Sequence, residues 1–232
     1  MLAEIFDEAL QDQLTHIDKK SVIKVTERHT ITIHTKFAQS LLNGSWQLGK
    51  MGLFQFAKCM SDLIKAKKAD DPYAEWYLLQ TYKAIVEANK TLTELEAKAQ
   101  SYLQNLRGIT VSLWQGANPV KLPLQFTNPF SFLTAHSVIA NCDYVARQIM
   151  TLDELGIIYN KDVVSRRHIK ALVQNVFSIS RKWKKTDLTR QDIKDGNLKA
   201  QQAKEMFGDI PDSILNEEVT LSIMPKSKKL EK

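Results

Sequence analysis

Arg28-His29-Thr30-Ile31-Thr32-Ile33-His34 runs directly into Thr35-Lys36-Phe37-Ala38-Gln39-Ser40-Leu41-Leu42-Asn43-Gly44. The first half alternates. An extended chain therefore sets His29, Ile31 and Ile33 on one face and Arg28, Thr30, Thr32 and His34 on the other. The second half changes period: Phe37, Ala38, Leu41 and Leu42 share one stripe of a helix, and Asn43-Gly44 is a stop signal. A short strand with one apolar face needs a partner strand, and a symmetric copy in a second subunit would supply one.

This order is similar to that of the ribbon-helix-helix repressors. The run Arg-x-Thr-Ile-Thr-Ile followed by Phe-Ala-x-x-Leu resembles their small plasmid copy-control members. The resemblance implies a dimer whose two-stranded ribbon lies in the major groove of double-stranded DNA. Arg28, Thr30 and Thr32 would then face the bases, and Ile31, Ile33, Phe37 and Leu41 would form the dimerisation core. Lys24, Thr26 and His34 fall on the DNA-facing side at the ribbon's ends. The chemistry fits, because arginine grips guanine bidentately and threonine offers a hydroxyl and a methyl to base edges. An ordinary half-buried strand of a mixed domain is the alternative that the local pattern leaves open.

At 232 residues the chain can bury a sizeable core. No apolar run approaches the ~20 residues of a membrane span. Met1 to Glu8 is acidic and lacks the basic start of a secretion signal. Cys59 and Cys142 stand far apart and read as small buried hydrophobes in a reducing compartment. The expectation is a cytoplasmic protein. The net charge of +6 is uneven: residues 161–190 hold nine basic residues against Asp162 and Asp187. Lys65, Lys67 and Lys68 form a smaller cluster, and Lys226-Ser227-Lys228-Lys229 a third. Such clusters suit phosphate binding, although a solvated helix face explains any one of them equally well.

Helical spacing predicts a first helix over Leu2–Ile17 and a second amphipathic helix over Met51–Lys67 after the ribbon. The N-terminus of the latter, with Lys50 beside it, is a candidate phosphate anchor. Asp70-Asp71-Pro72 invites a reading as paired catalytic carboxylates. N-capping by Asp71, with Pro72 at the first helical position and Glu75 in the first turn, explains it better. The helix it opens is expected to reach Leu106. Ile109–Trp114 and Val120–Phe126 read as a β-hairpin, with Pro123 demoting the second strand to an edge. Helices follow over Asn128–Leu155, Val163–Trp183 and Thr189–Met206. This divides the chain into an N-terminal helical extension (1–20), a DNA-binding and dimerisation unit (21–68), and a helical accessory region (69–232) with a short β-hairpin near 109–126. The fold class is mainly α with a small β component.

The five histidines have no metal-ligand spacing, and no phosphate loop or nucleophile elbow occurs. We expect no enzyme, cofactor, metal or small-molecule ligand, and no membrane partner.

Nearly the whole chain resembles a narrower family, the AcaB-type regulators of conjugative plasmids and integrating conjugative elements. Ile33-His34-Thr35 with Ala38-Gln39 and Leu41, then Gly52-Leu53 and Phe56, and above all Asp70-Asp71-Pro72-Tyr73-Ala74-Glu75-Trp76 carry the likeness. Phe126, Pro129-Phe130, Asp143, Arg166-Arg167 and Leu188-Thr189-Arg190-Gln191-Asp192, with Ala203 and Gly208, follow in the same order. The resemblance implies a homodimeric DNA-binding activator that switches on conjugative transfer genes. Arg166, Arg167 and Lys170 would extend the DNA footprint or contact RNA polymerase. An accessory DNA-bending subunit of a transfer-origin complex is the alternative.

Overall fold

The structure, a computed structural model, describes residues 30–45, 50–123, 126, 128–158, 166–219, 221 and 223. The expected helix over 2–17, Lys24, Thr26, Arg28 and the cluster at 226–229 lie outside these residues. The elements run β1 (Thr30–Ile33), α1 (Lys36–Asn43), α2 (Leu53–Lys68), α3 (Pro72–Gln104), β2 (Val120–Pro123) and α4 (Pro129–Leu133). A π-helical stretch (Thr134–Ala140) then leads into α5 (Asn141–Glu154), followed by α6 (Arg166–Lys182), α7 (Arg190–Lys194), α8 (Leu198–Phe207) and α9 (Asp212–Leu215). Among the described residues the fold is mostly helical with one two-stranded antiparallel sheet, as the spacing predicts.

The sheet is assembled differently from the expectation. β2 pairs with β1 of the same chain, in the register Thr30↔Pro123, Ile31↔Leu122, Thr32↔Lys121 and Ile33↔Val120. The strand expected at Ile109–Trp114 does not form. Side chains of α5 take its hydrogen-bonding groups: Trp114 N–H donates to Thr151 Oγ1 (2.8 Å) and Arg147 Nε donates to the Trp114 carbonyl (2.8 Å). The loop then crosses the end of β1 at Gly116, where an added Cβ would stand 2.1 Å from the His34 carbonyl oxygen. The helix expected over Thr189–Met206 is also broken in two, because Gly196 turns left-handed (φ +62°) and Asn197 caps a new helix.

One core runs across position 68. Ile33, Leu41, Leu53, Phe56, Met60 and Leu63 pack with Leu78, Ile85 and Leu92 of α3, Phe130 and Val138 ahead of α5, and Ile169, Val173 and Phe177 of α6. Phe56 and Phe177 have ring centroids 5.1 Å apart. A satellite cluster of Tyr73, Leu188, Ala200 and Ala203 joins the start of α3 to α7 and α8, and Tyr73 OH donates to the Gly208 carbonyl at 2.8 Å.

Candidate nucleic-acid interface

The switch from strand to helix at His34-Thr35 is held by a carboxylate far away in sequence. Asp143, 3% exposed on α5, accepts from His34 N–H (3.0 Å), Thr35 N–H (2.7 Å) and Thr35 Oγ1 (2.7 Å). Thr35 Oγ1 in turn caps α1 by accepting from Ala38 N–H at 3.1 Å. Gln39 closes the other side: its Nε2 donates to the carbonyls of Ile33 (3.2 Å) and Asn118 (2.9 Å) and so ties β1 to the approach of β2. The Ile33/Val120 end of the ribbon is thus fixed on the helical body.

Residues directly opposite in an antiparallel pair share a face. Ile31, Ile33, Leu122 and Val120 therefore lie on one side, where Ile33 is fully buried and Ile31 and Leu122 pack against the core. Thr30, Thr32, Lys121 and Pro123 lie on the other; Thr30, Lys121 and Pro123 are exposed and Thr32 is half-buried. The two edges of this sheet are unlike. β2 carries a lysine and ends in Pro123, both of which discourage further pairing. β1 is Thr-Ile-Thr-Ile with neither, and among the described residues its outer edge has no strand partner.

His34 is half-buried, and its Nδ1 is shut off from solvent. Ile33 and Leu41 are 0% exposed within the single chain, so a second chain could meet only Ile31 and Phe37 of the four expected dimerisation residues.

A second feature is the start of α2. Gly52 is its extended N-cap, with no side-chain cap and no acid in the first turn. Exposed Lys50 is fixed beside it by reciprocal backbone bonds between Ser45 and Lys50 (2.8 and 2.9 Å). Gly44 (φ +68°) ends α1 directly against Gly52: a Cβ on Gly52 would lie 2.3 Å from Gly44 N. Only glycine at both positions permits this approach. Gln174 Nε2 donates to the Met51 carbonyl at 3.2 Å and Ser180 Oγ donates to Met51 Sδ at 3.9 Å, which brings the middle and second half of α6 beside the start of α2. Arg166 and Arg167 open α6, and half-buried Lys170 sits one turn before Gln174.

The basic clusters divide differently from the sequence count. Lys67 is 3% exposed and pairs with Glu75 at 3.6 Å. Arg190 is 6% exposed and pairs with Asp70 and Glu75, with Glu217 at 3.8 Å. These two cations hold the fold and do not present charge to a partner. Lys65 and Lys68 do remain exposed. A cavity of about 830 Å³, lined by Cys59, Lys65, Asp71, Arg181, Trp183 and Lys185, lies where α2 ends and the chain leaves α6. Burial pushes the Cys59 thiol up, the direction opposite to an activated nucleophile. Among the described residues no group of three or more His, Cys, Asp or Glu could hold a metal, and no helix is long and apolar enough to cross a membrane.

Sequence reasoning missed Lys121, Gln39 and Asp143 as parts of this surface and its support. The only local signal was the exposed edge strand with Pro123; their partners are 79 to 109 residues away.

The family model of the transcriptional regulator AcaB matches residues 24–228. The crystal structure of selenomethionine-containing AcaB from uropathogenic E. coli superposes with a TM-score of 0.52 at 13% identity, covering 82% of this chain and 94% of that one. That likeness bears on the fold. No curated protein matches the chain.

Proposed function

The chain belongs to the AcaB family of transcriptional regulators, and on that premise we propose that it is a homodimeric, sequence-specific DNA-binding activator of the conjugative transfer genes of a mobile element. The observation that carries the reading is the Thr30/Thr32 face, exposed at Thr30 and half-buried at Thr32, beside a strand edge with no strand partner among the described residues. A second copy adds its own β1 across that edge by main-chain hydrogen bonds. The two inner strands enter the major groove, which admits a two-stranded ribbon. Thr30 and Thr32 of both subunits meet base edges, and Arg28 continues the same alternation. Each good bidentate contact contributes ~1–3 kcal/mol of discrimination.

Lys50 holds a backbone phosphate beside the start of α2, where the helix dipole favours an anion. Arg166, Arg167 and Lys170 extend that phosphate footprint along α6. Sedimentation equilibrium of the full chain tests the assembly: the expected mass is twice the 26.5 kDa of one chain. Thr30→Ala/Thr32→Ala should keep that mass and lose base preference. A monomer at micromolar concentration, both free and on DNA, would contradict strand pairing.

A further inference from the structure

We infer that Lys121, from a strand some ninety residues beyond the ribbon strand, is a phosphate clamp on the wall of the major groove. The inference rests on the strand-paired dimer proposed above and adds to it a contact that the ribbon alone lacks. Lys121 stands directly across from Thr32, on the outward face and exposed. Its neighbours on that face of the two strands are Thr30, Thr32 and Pro123, none of them acidic, and among the described residues no ion pair engages it.

The strand order of the dimer would be β2-β1-β1-β2. Neighbouring strands lie about 4.8 Å apart, so the two β2 strands run about 14 Å from one another. The major groove is about 12 Å wide. The inner pair fits inside it, and each outer strand rides over one wall, where the phosphates are. A lysine suits that place. Its ammonium is a point charge on a flexible stem, able to follow a phosphate without the fixed fork that base reading needs. Gln39 and Gly116 keep β2 at this height: the amide of Gln39 ties the carbonyls of Ile33 and Asn118, and Gly116 lets the loop pass against the His34 carbonyl.

A competing account is that Lys121 only guards an edge strand against aggregation. The two differ in salt dependence. Each neutralised phosphate adds about 0.9 to the slope of log K against log salt, and a symmetric dimer carries two copies of Lys121. The experiment is fluorescence-anisotropy titration of the full chain with a selected duplex and with a random-sequence duplex, over a range of salt. Wild type, Lys121→Ala, Lys121→Arg and Thr30→Ala/Thr32→Ala are compared. Lys121→Ala should make the slope shallower by about two units and weaken both duplexes alike, while Lys121→Arg should restore the slope. An unchanged slope in Lys121→Ala overturns the clamp and leaves edge protection. Loss of preference between the two duplexes also overturns it, because it would put Lys121 inside the groove. Failure of the underlying reading appears separately, as Thr30→Ala/Thr32→Ala keeping full preference for the selected duplex.

Discussion

Asp143 and Arg190 are the side chains on which distant parts of the molecule depend. The first accepts three hydrogen bonds at the strand-to-helix switch. The second lies among Asp70, Glu75 and Glu217, close enough to Glu75 that Lys67 shares the same carboxylate. Removing one partner of a buried ion pair leaves a charge uncompensated. Arg190→Ala should therefore lower stability by ~3–5 kcal/mol, read as a drop in the urea midpoint with an unchanged slope. Asp71 poses a subtler case. Its Oδ1 caps α3 by accepting from Ala74 N–H at 3.0 Å, as the Asp-Pro spacing predicts. Burial nevertheless pushes its carboxyl above the ordinary value. A carboxyl that binds its proton more tightly folded than unfolded contributes most below its unfolded pKa of about 3.9, and that contribution is lost as pH rises through the raised folded value. Asparagine caps equally well without the buried charge. Asp71→Asn should thus be more stable than wild type at pH 7, with the advantage shrinking on acidification; Asp71→Ala, which loses the cap, should cost about 1 kcal/mol at low pH and less at pH 7. The cap was legible because its partner is three residues away. The burial of Glu75 was not, because Arg190 arrives from 115 residues further on.

Among the elements, local period identified β1 and α1 to α3 well, since amphipathic spacing and capping residues act within a few turns. It failed where side chains from another element decided the outcome. Ile109–Trp114 has strand composition, yet Thr151 and Arg147 of α5 claim the backbone at Trp114. β2 was recognised as an edge strand from Pro123, but nothing local names β1 as its partner. The two faces of β1 should separate cleanly under substitution. Ile33→Asp puts a charge into a fully buried site and should cost more than ~4 kcal/mol, unfolding the subunit and not merely dissociating a dimer. Thr30→Ala should stay within about 0.5 kcal/mol of wild type. Gly52→Ala forces a Cβ to 2.3 Å from Gly44 N. It should cost about 1–3 kcal/mol as overpacking, and by displacing the start of α2 it should weaken DNA binding as well. Thermal melts and anisotropy on the same sample check both effects.

For the molecule as a whole, the sequence count of charge overstated what a partner can feel. Lys67 and Arg190 point their charge inward, whereas Lys50 and Lys121 are exposed. The continuous core below them ties the ribbon, through Asp143 and Gln39, to the same body as α3 and α6. The Asp70–Trp76 and Leu188–Asp192 runs, on which the sequence reading of the family leaned, meet in the fold through Arg190, and the family match spans both. The most direct test of the account is selection of random DNA duplexes by the purified full chain at physiological salt, followed by sequencing of the bound pool. A symmetric, strand-paired reader predicts an inverted half-site that disappears in Thr30→Ala/Thr32→Ala. A bound pool without an enriched word, or an asymmetric word that survives the double substitution, would contradict it.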